Sequence, residues 1–213
     1  TGIGMSRLIL AESGTNTNYQ GDGTSGVYIF GAQLEAQSYA TSYIPTAGSA
    51  ITRLADTASQ TVPDGVINSS EGVLYLDFSM FEQLPQTRVV LSDGSSNNRL
   101  LLGIGTNGSG RLDVELVNAN GTNIGFNEFF TNLDFTKRNK IALSYKNLDL
   151  KLYVNGSLAS TNSTGNTFPI NTLSRIDLAN YNNSGYRFKG NIKSIQVYNT
   201  ALTDAELVKL TTI

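Results

Sequence analysis

The end of the chain constrains its fold more than any other stretch. From Phe188 to Tyr198 the residues alternate, with Ile192, Ile195 and Val197 apolar and polar residues between them. That is the pattern of a strand buried on one face, and its single slip of register is what a bulge at Ser194 produces. The following stretch, Thr200 to Leu207, carries the punctuation of a helix start. Thr203 is placed to cap the first turn, and Glu206, three residues on, completes a capping box. Leu202 and Leu207 are spaced to close a hydrophobic staple. A half-buried strand needs a sheet to join, and a short amphipathic helix needs an apolar surface to lie on.

The sheets are legible upstream. Short alternating runs are read as strands at Val73 to Phe78, Thr87 to Leu91, Arg99 to Ile104, Arg111 to Val117, Lys140 to Tyr145, Asp149 to Val154 and Leu173 to Leu178. Turn signals separate them: Asp93-Gly94, Asn107-Gly108-Ser109-Gly110, Asn120-Gly121 and Asn155-Gly156. The spacing predicts an all-β fold for residues 51–213, a sandwich of two antiparallel sheets with one short C-terminal helix. An extended or β segment, residues 1–50, precedes it.

Composition removes several kinds of chemistry. There is no Cys, so disulfides, thiolate nucleophiles and Cys-type zinc sites are excluded. There is no His, which removes the commonest general base and the Ser-His-Asp triad. Trp is absent too, so any ring that stacks on a sugar must be Tyr or Phe. The formal net charge is −2 with no basic block, which leaves no electrostatic footprint for nucleic acid. No apolar run is long enough for membrane insertion.

The first 50 residues read differently. Val27 to Leu34 is expected to be a strand, followed by extended chain from Ser38 to Thr46. The run Tyr28-Ile29-Phe30-Gly31-Ala32-Gln33-Leu34-Glu35, with Ala40-Thr41-Ser42-Tyr43-Ile44-Pro45-Thr46 after it, resembles a terminal segment of phage structural proteins and of modular secreted sugar-binding proteins. Phe30 stands where that pattern usually has Trp. Too few residues precede Val27 to make a sandwich, so Thr1 is expected to lie inside a truncated domain, of which residues 1–50 are a C-terminal remnant or linker. The apolar set Val27, Ile29, Leu34, Tyr39, Tyr43 and Ile44 is expected to be ordered under cover from the sandwich or a neighbouring chain.

From Thr52-Arg53-Leu54-Ala55-Asp56 onward the chain resembles laminin-G-like domains of the concanavalin A-like lectin/glucanase superfamily. Lys140-Ile141-Ala142-Leu143-Ser144-Tyr145 with Leu150-Lys151-Leu152-Tyr153-Val154-Asn155-Gly156 is similar to that family's central hairpin, and the strand-plus-helix tail is similar to its ending. Arg138 and Asn139 replace a customary Trp and His. The resemblance implies a jelly roll and a non-catalytic recognition role. In the phage context it implies a tail fibre, tailspike or head decoration at the virion surface. Such a protein binds host cell-surface glycans and contacts other virion subunits, with a homo-trimer as one assembly. The alternative is an accessory carbohydrate-binding module of a secreted bacterial polysaccharide-degrading enzyme, in an extracellular setting. A glycan hydrolase or lyase is the third reading.

Against catalysis stands the lack of a three-carboxylate strand. Superfamily enzymes aim such carboxylates into one cleft, and the nearest run here is Asp113-Val114-Glu115. With Leu112, Val114 and Leu116 buried, Arg111, Asp113 and Glu115 share the other face, as a charge ladder or a charged sugar cleft. The loop Asn180 to Tyr186 is the best binding loop. Tyr181 and Tyr186 offer rings for a sugar to stack on, and Asn182 and Asn183 offer paired donors and acceptors. Its own residues carry no charge, which suits a neutral sugar. Calcium is the only cofactor the loops suggest, with Asp93 and Asn97 as one oxygen set and Asp177 and Asn180 as another.

Overall fold

In this computed structural model the described residues are 20, 22–24, 26, 28–33, 42–52, 59–63, 65–83, 86–106, 110–118, 123–130, 132–183 and 185–213. The chain divides into two compact units, Thr1–Arg53 and Leu54–Ile213.

The second unit has, among its described residues, eleven strands and one helix. In chain order these are β1 (Ser59–Thr61), β2 (Glu71–Met80), β3 (Thr87–Ser92), β4 (Arg99–Thr106), β5 (Arg111–Val117), β6 (Asn123–Phe130), β7 (Asn139–Lys146), β8 (Leu150–Val154), β9 (Ser157–Asn162), β10 (Arg175–Asp177), β11 (Gly190–Tyr198) and α1 (Asp204–Thr211). A six-stranded sheet runs β1-β10-β3-β4-β5-β6 and a five-stranded sheet runs β11-β2-β7-β8-β9. All pairings are antiparallel.

Alternation along the strands makes this a sandwich. Leu74, Leu76 and Phe78 of β2, with Ile141 and Leu143 of β7, meet Val89, Leu91, Leu100, Leu102, Leu112, Val114 and Leu116 of the other sheet in one buried core. At one end of that core Phe78 lies against Phe135, ring centroids 6.1 Å apart, and against Phe188 at 5.9 Å. At the opposite end, where β7 pairs Tyr145 with Gly72, Tyr145 is buried as well. Its hydroxyl donates to the Asn68 carbonyl at 2.8 Å, and burial pushes its pKa up.

The tail forms as its spacing predicts. β11 pairs with β2, and the register shifts between Ile192 and Ser194, so the bulge falls at Lys193 beside the expected Ser194. Thr203 caps α1: its hydroxyl accepts from the Glu206 N–H, and Glu206 accepts from the Thr203 N–H at 2.8 Å. Leu207 is buried and Leu202 packs with it on the outer face of the five-stranded sheet, against Val73, Tyr75, Ala142 and Tyr153. Asn155 and Gly156 both take positive φ (51° and 83°), the conformation a two-residue turn between β8 and β9 requires. The turn expected at Asn120-Gly121 lies outside the described residues, but the β5–β6 pairing it would join is present.

Three strands lie beyond the expected series. β1 falls inside the expected connector and exists because it pairs with β10. β9 is a polar, exposed edge strand with no apolar alternation to mark it. β6 mixes Gly, Asn and Glu among its apolar residues. Conversely, the strand expected at Leu173 to Leu178 shortens to Arg175–Asp177.

In the first unit the expected strand from Val27 to Leu34 is corrected. Residues 28–33 are not in a strand, and Gly31 turns the chain at φ 73°. A side chain supplies the cross-link that a ladder would have: Gln33 Oε1 accepts from the Ile44 N–H at 2.7 Å. The rings of Phe30 and Tyr43 lie 5.3 Å apart. Ile29 and Tyr43 are exposed, along with Tyr28 and Phe30. Val27, Leu34 and Tyr39 lie outside the described residues.

Candidate functional site

The two sheets differ in what covers their outer faces. On the five-stranded sheet, α1 and its apolar cluster occupy the outside. On the six-stranded sheet, strand alternation turns Arg88, Arg99, Arg111, Asp113, Glu115, Arg175 and Asp177 outward, because their neighbours Val89, Leu100, Leu112, Val114 and Ile176 pack in the core. Val90 and Leu101 also point outward yet are buried, so this face is partly covered.

Among the described residues, three ion pairs lie on it. Arg99 Nη2 meets Glu115 Oε2 at 3.0 Å, Arg111 Nε meets Asp113 Oδ1 at 2.6 Å, and Arg175 Nη2 meets Asp177 Oδ1 at 2.8 Å. Asp177 has no exposed surface and takes three hydrogen bonds from Arg175. Charges withdrawn this far from water must be paired, and these are.

The loop after β10 is fastened to the same face. Its ends are closed by Phe188 N–H donating to the Leu178 carbonyl and Asn180 N–H donating to the Gly185 carbonyl, both at 2.9 Å. Arg88 holds it from the sheet: its N–H donates to the Tyr186 carbonyl and its Nη1 to Asn180 Oδ1, each at 2.9 Å. The Arg88 guanidinium lies over the Tyr186 ring, 4.1 Å from its centroid, and the Arg99 guanidinium lies 5.7 Å from that of Tyr181. Tyr181–Asn183 form a short 3-10 turn in which Asn182 is left-handed, φ 53°.

Tyr186 is also left-handed, at φ 50°, and remains 48% exposed. A bulky residue in that region is strained by about 1–2 kcal/mol. The hydrogen bond and the guanidinium contact from Arg88 hold it there. The loop therefore spends backbone strain to keep one tyrosine ring at the surface.

The structure thus joins two features that the sequence keeps apart. Tyr181 stands by Arg99, and Arg99 pairs with Glu115, so the binding loop and the charged face of β5 are continuous. The loop's own residues are neutral, but its surroundings are not. Arg88 and Arg99 carry no local motif; their one signal in the sequence is an arginine at the polar phase of two otherwise apolar strands.

The calcium candidates are engaged with the protein itself. Asp93 accepts from the Ser95 N–H at 2.8 Å and from Asn98 Nδ2 at 2.7 Å. Burial alone would raise its pKa, but these hydrogen bonds hold it below the ordinary carboxylate value. Asn97 donates its N–H to Ser95 Oγ at 3.1 Å. Asp177 faces Arg175, and Asn180 accepts from Arg88. Among the described residues no group of three or more acidic side chains gathers to hold a metal.

The family profile described as Laminin_G_3, concanavalin A-like lectin/glucanases superfamily, matches residues 57–208. No curated protein sequence matches the chain. Among solved structures, the fold is similar to the CBM40 domain of the Ruminococcus gnavus IT-sialidase, at 22% identity and a TM-score of 0.57, over 68% of this chain and 84% of that one. The same domain bound to alpha2,3 sialyllactose matches at 18% identity and a TM-score of 0.56, over 72% and 98%. Domain 4 of AbnA, a GH43 extracellular arabinanase from Geobacillus stearothermophilus, in complex with arabinotriose, matches at 17% identity and 0.55, over 71% of each chain.

Proposed function

The chain belongs to the concanavalin A-like lectin/glucanases superfamily, and from that premise we propose that residues 54–213 form a non-catalytic glycan-recognition domain. Its binding site is the outer face of the six-stranded sheet, where the loop around Tyr181, Asn182, Asn183 and Tyr186 meets β3, β4 and β5. The observation that carries this reading is Tyr186: a strained, half-exposed ring braced by Arg88 offers a flat apolar surface to a sugar. The carboxylates of β5 are each committed to an arginine, so neither Asp113 nor Glu115 is poised as nucleophile or acid.

The structural relatives favour an accessory module of a carbohydrate-active enzyme, since one is a domain of a sialidase and another is domain 4 of an extracellular arabinanase. A second reading, attachment of a virion to host glycans, rests on the Tyr28 to Thr46 segment and its resemblance to phage structural proteins. Upstream sequence discriminates the two: a catalytic domain means an accessory module, and a trimeric stem means a virion.

A glycan array probed with the purified chain, with and without calcium, tests the proposal. Binding to a defined set of glycans supports it. Absence of binding to every plant, bacterial and host glycan on the array would contradict it.

A further inference from the structure

We propose that the glycan taken at this face carries an acidic group, a carboxylate or a sulfate, and that Arg88 receives it. The inference rests on the glycan-binding reading above and narrows the ligand class.

Three arginines of the face have carboxylate partners within 3.0 Å: Arg99 with Glu115, Arg111 with Asp113 and Arg175 with Asp177. Arg88 has none among the described residues. Its side chain makes one hydrogen bond, from Nη1 to the neutral amide oxygen of Asn180, and its Nε is buried with no partner. A guanidinium carries five donors, and a half-buried one left this far short of acceptors is costly unless something completes it.

Geometry indicates what does. Tyr186 covers one side of the guanidinium at 4.1 Å, and Asn180 fixes one edge. Nη2 makes no hydrogen bond to a described residue. The cation is therefore held in one orientation before any ligand arrives, which lowers the entropy cost of binding. A planar fork held that way suits a carboxylate or sulfate oxygen pair better than a single hydroxyl. Beside it, the exposed Tyr186 ring can stack on the sugar that carries the acid.

Arg88 also pins the loop, and a purely structural role predicts no preference for acidic ligands. Matched pairs separate the two roles in the unmodified protein. Calorimetric titrations would compare 3′-sialyllactose with lactose, trigalacturonate with its methyl ester, and a carrageenan hexasaccharide with its desulfated form. The expected result is that at least one acidic member binds about 10- to 100-fold more tightly than its neutral partner. Its affinity should fall as NaCl rises. A preference confined to the carboxylate pairs or to the sulfate pair identifies the source of the charge.

In Arg88→Gln neutral binding should weaken as Tyr186 loses its brace, but the ratio of acidic to neutral affinity should fall to about 1, and Arg88→Lys should restore part of that ratio. Equal affinity for both members of every pair, with binding still lost in Tyr186→Ala, would overturn the acidic-ligand inference and leave the site standing. No binding of any probe, with none on the glycan array, would overturn both.

Discussion

Tyr186 shows how one residue can link backbone strain to recognition. Its left-handed φ of 50° is a conformation glycine adopts freely and tyrosine does not. Tyr186→Gly should therefore be more stable than Tyr186→Ala by about 1 kcal/mol, read by thermal or urea unfolding, because glycine relieves the strain and alanine keeps it. Both variants lose the ring, so both should bind glycan more weakly, by about 1 to 3 kcal/mol if the ring is a stacking platform. Full binding by either variant would make the tyrosine a loop strut only. The two aromatic residues were visible in the sequence. Their guanidinium partners were not, because Arg88 and Arg99 come from strands some ninety residues away and no local pattern reports that distance. Asp77 gives a second test at this scale. Two hydrogen bonds from Arg138, at 2.7 and 2.9 Å, hold its pKa below the ordinary value. A carboxylate with a depressed folded pKa contributes stability that is present above its unfolded value, about 3.9, and is lost as the pH falls through the folded one. The melting temperature should drop on acidification below about pH 5, and Asp77→Asn should flatten that fall while lowering stability at pH 7. An unchanged acid limb in Asp77→Asn would assign the loss to other carboxylates.

At the scale of elements, α1 is the piece whose existence and place were both readable. Thr203, Glu206, Leu202 and Leu207 specify start, cap and buried face within six residues. Thr203→Ala should cost about 0.5 to 2 kcal/mol in chemical denaturation, since the Glu206 N–H loses the hydroxyl oxygen that caps it. Because α1 covers the outer face of the five-stranded sheet, away from the proposed site, glycan affinity should not change. A large loss of affinity in a folded Thr203→Ala protein would move the site to that sheet. Strands with strong apolar alternation were equally legible. β1 and β9 were not, because an edge strand is held by its partner's backbone and need not bury side chains of its own. The misread strand at Val27 to Leu34 fails for the complementary reason. Its apolar residues fit the period, but the described residues offer no ladder, and Gly31 breaks the extended run.

For the molecule as a whole, the fold was legible because two periodicities and a set of turn dipeptides all agree on a sandwich. Function was only partly legible, since the same sandwich carries different sites on either face and the decision rests on which face the helix occupies. This chain should release no reducing ends from polysaccharides. Activity that is abolished by Glu115→Gln would contradict this, because Glu115 would then have to leave Arg99 to act. The proposed place of the glycan is the outer face of the six-stranded sheet, beside the Tyr181–Tyr186 loop. Titrating isotope-labelled protein with an array-identified glycan and mapping amide chemical shifts tests it most directly. The largest changes should fall at Arg88, Arg99, Asp113 to Glu115 and Asn180 to Arg187, with α1 undisturbed. Changes centred on α1, Tyr75 and Tyr153 of the opposite sheet would contradict it.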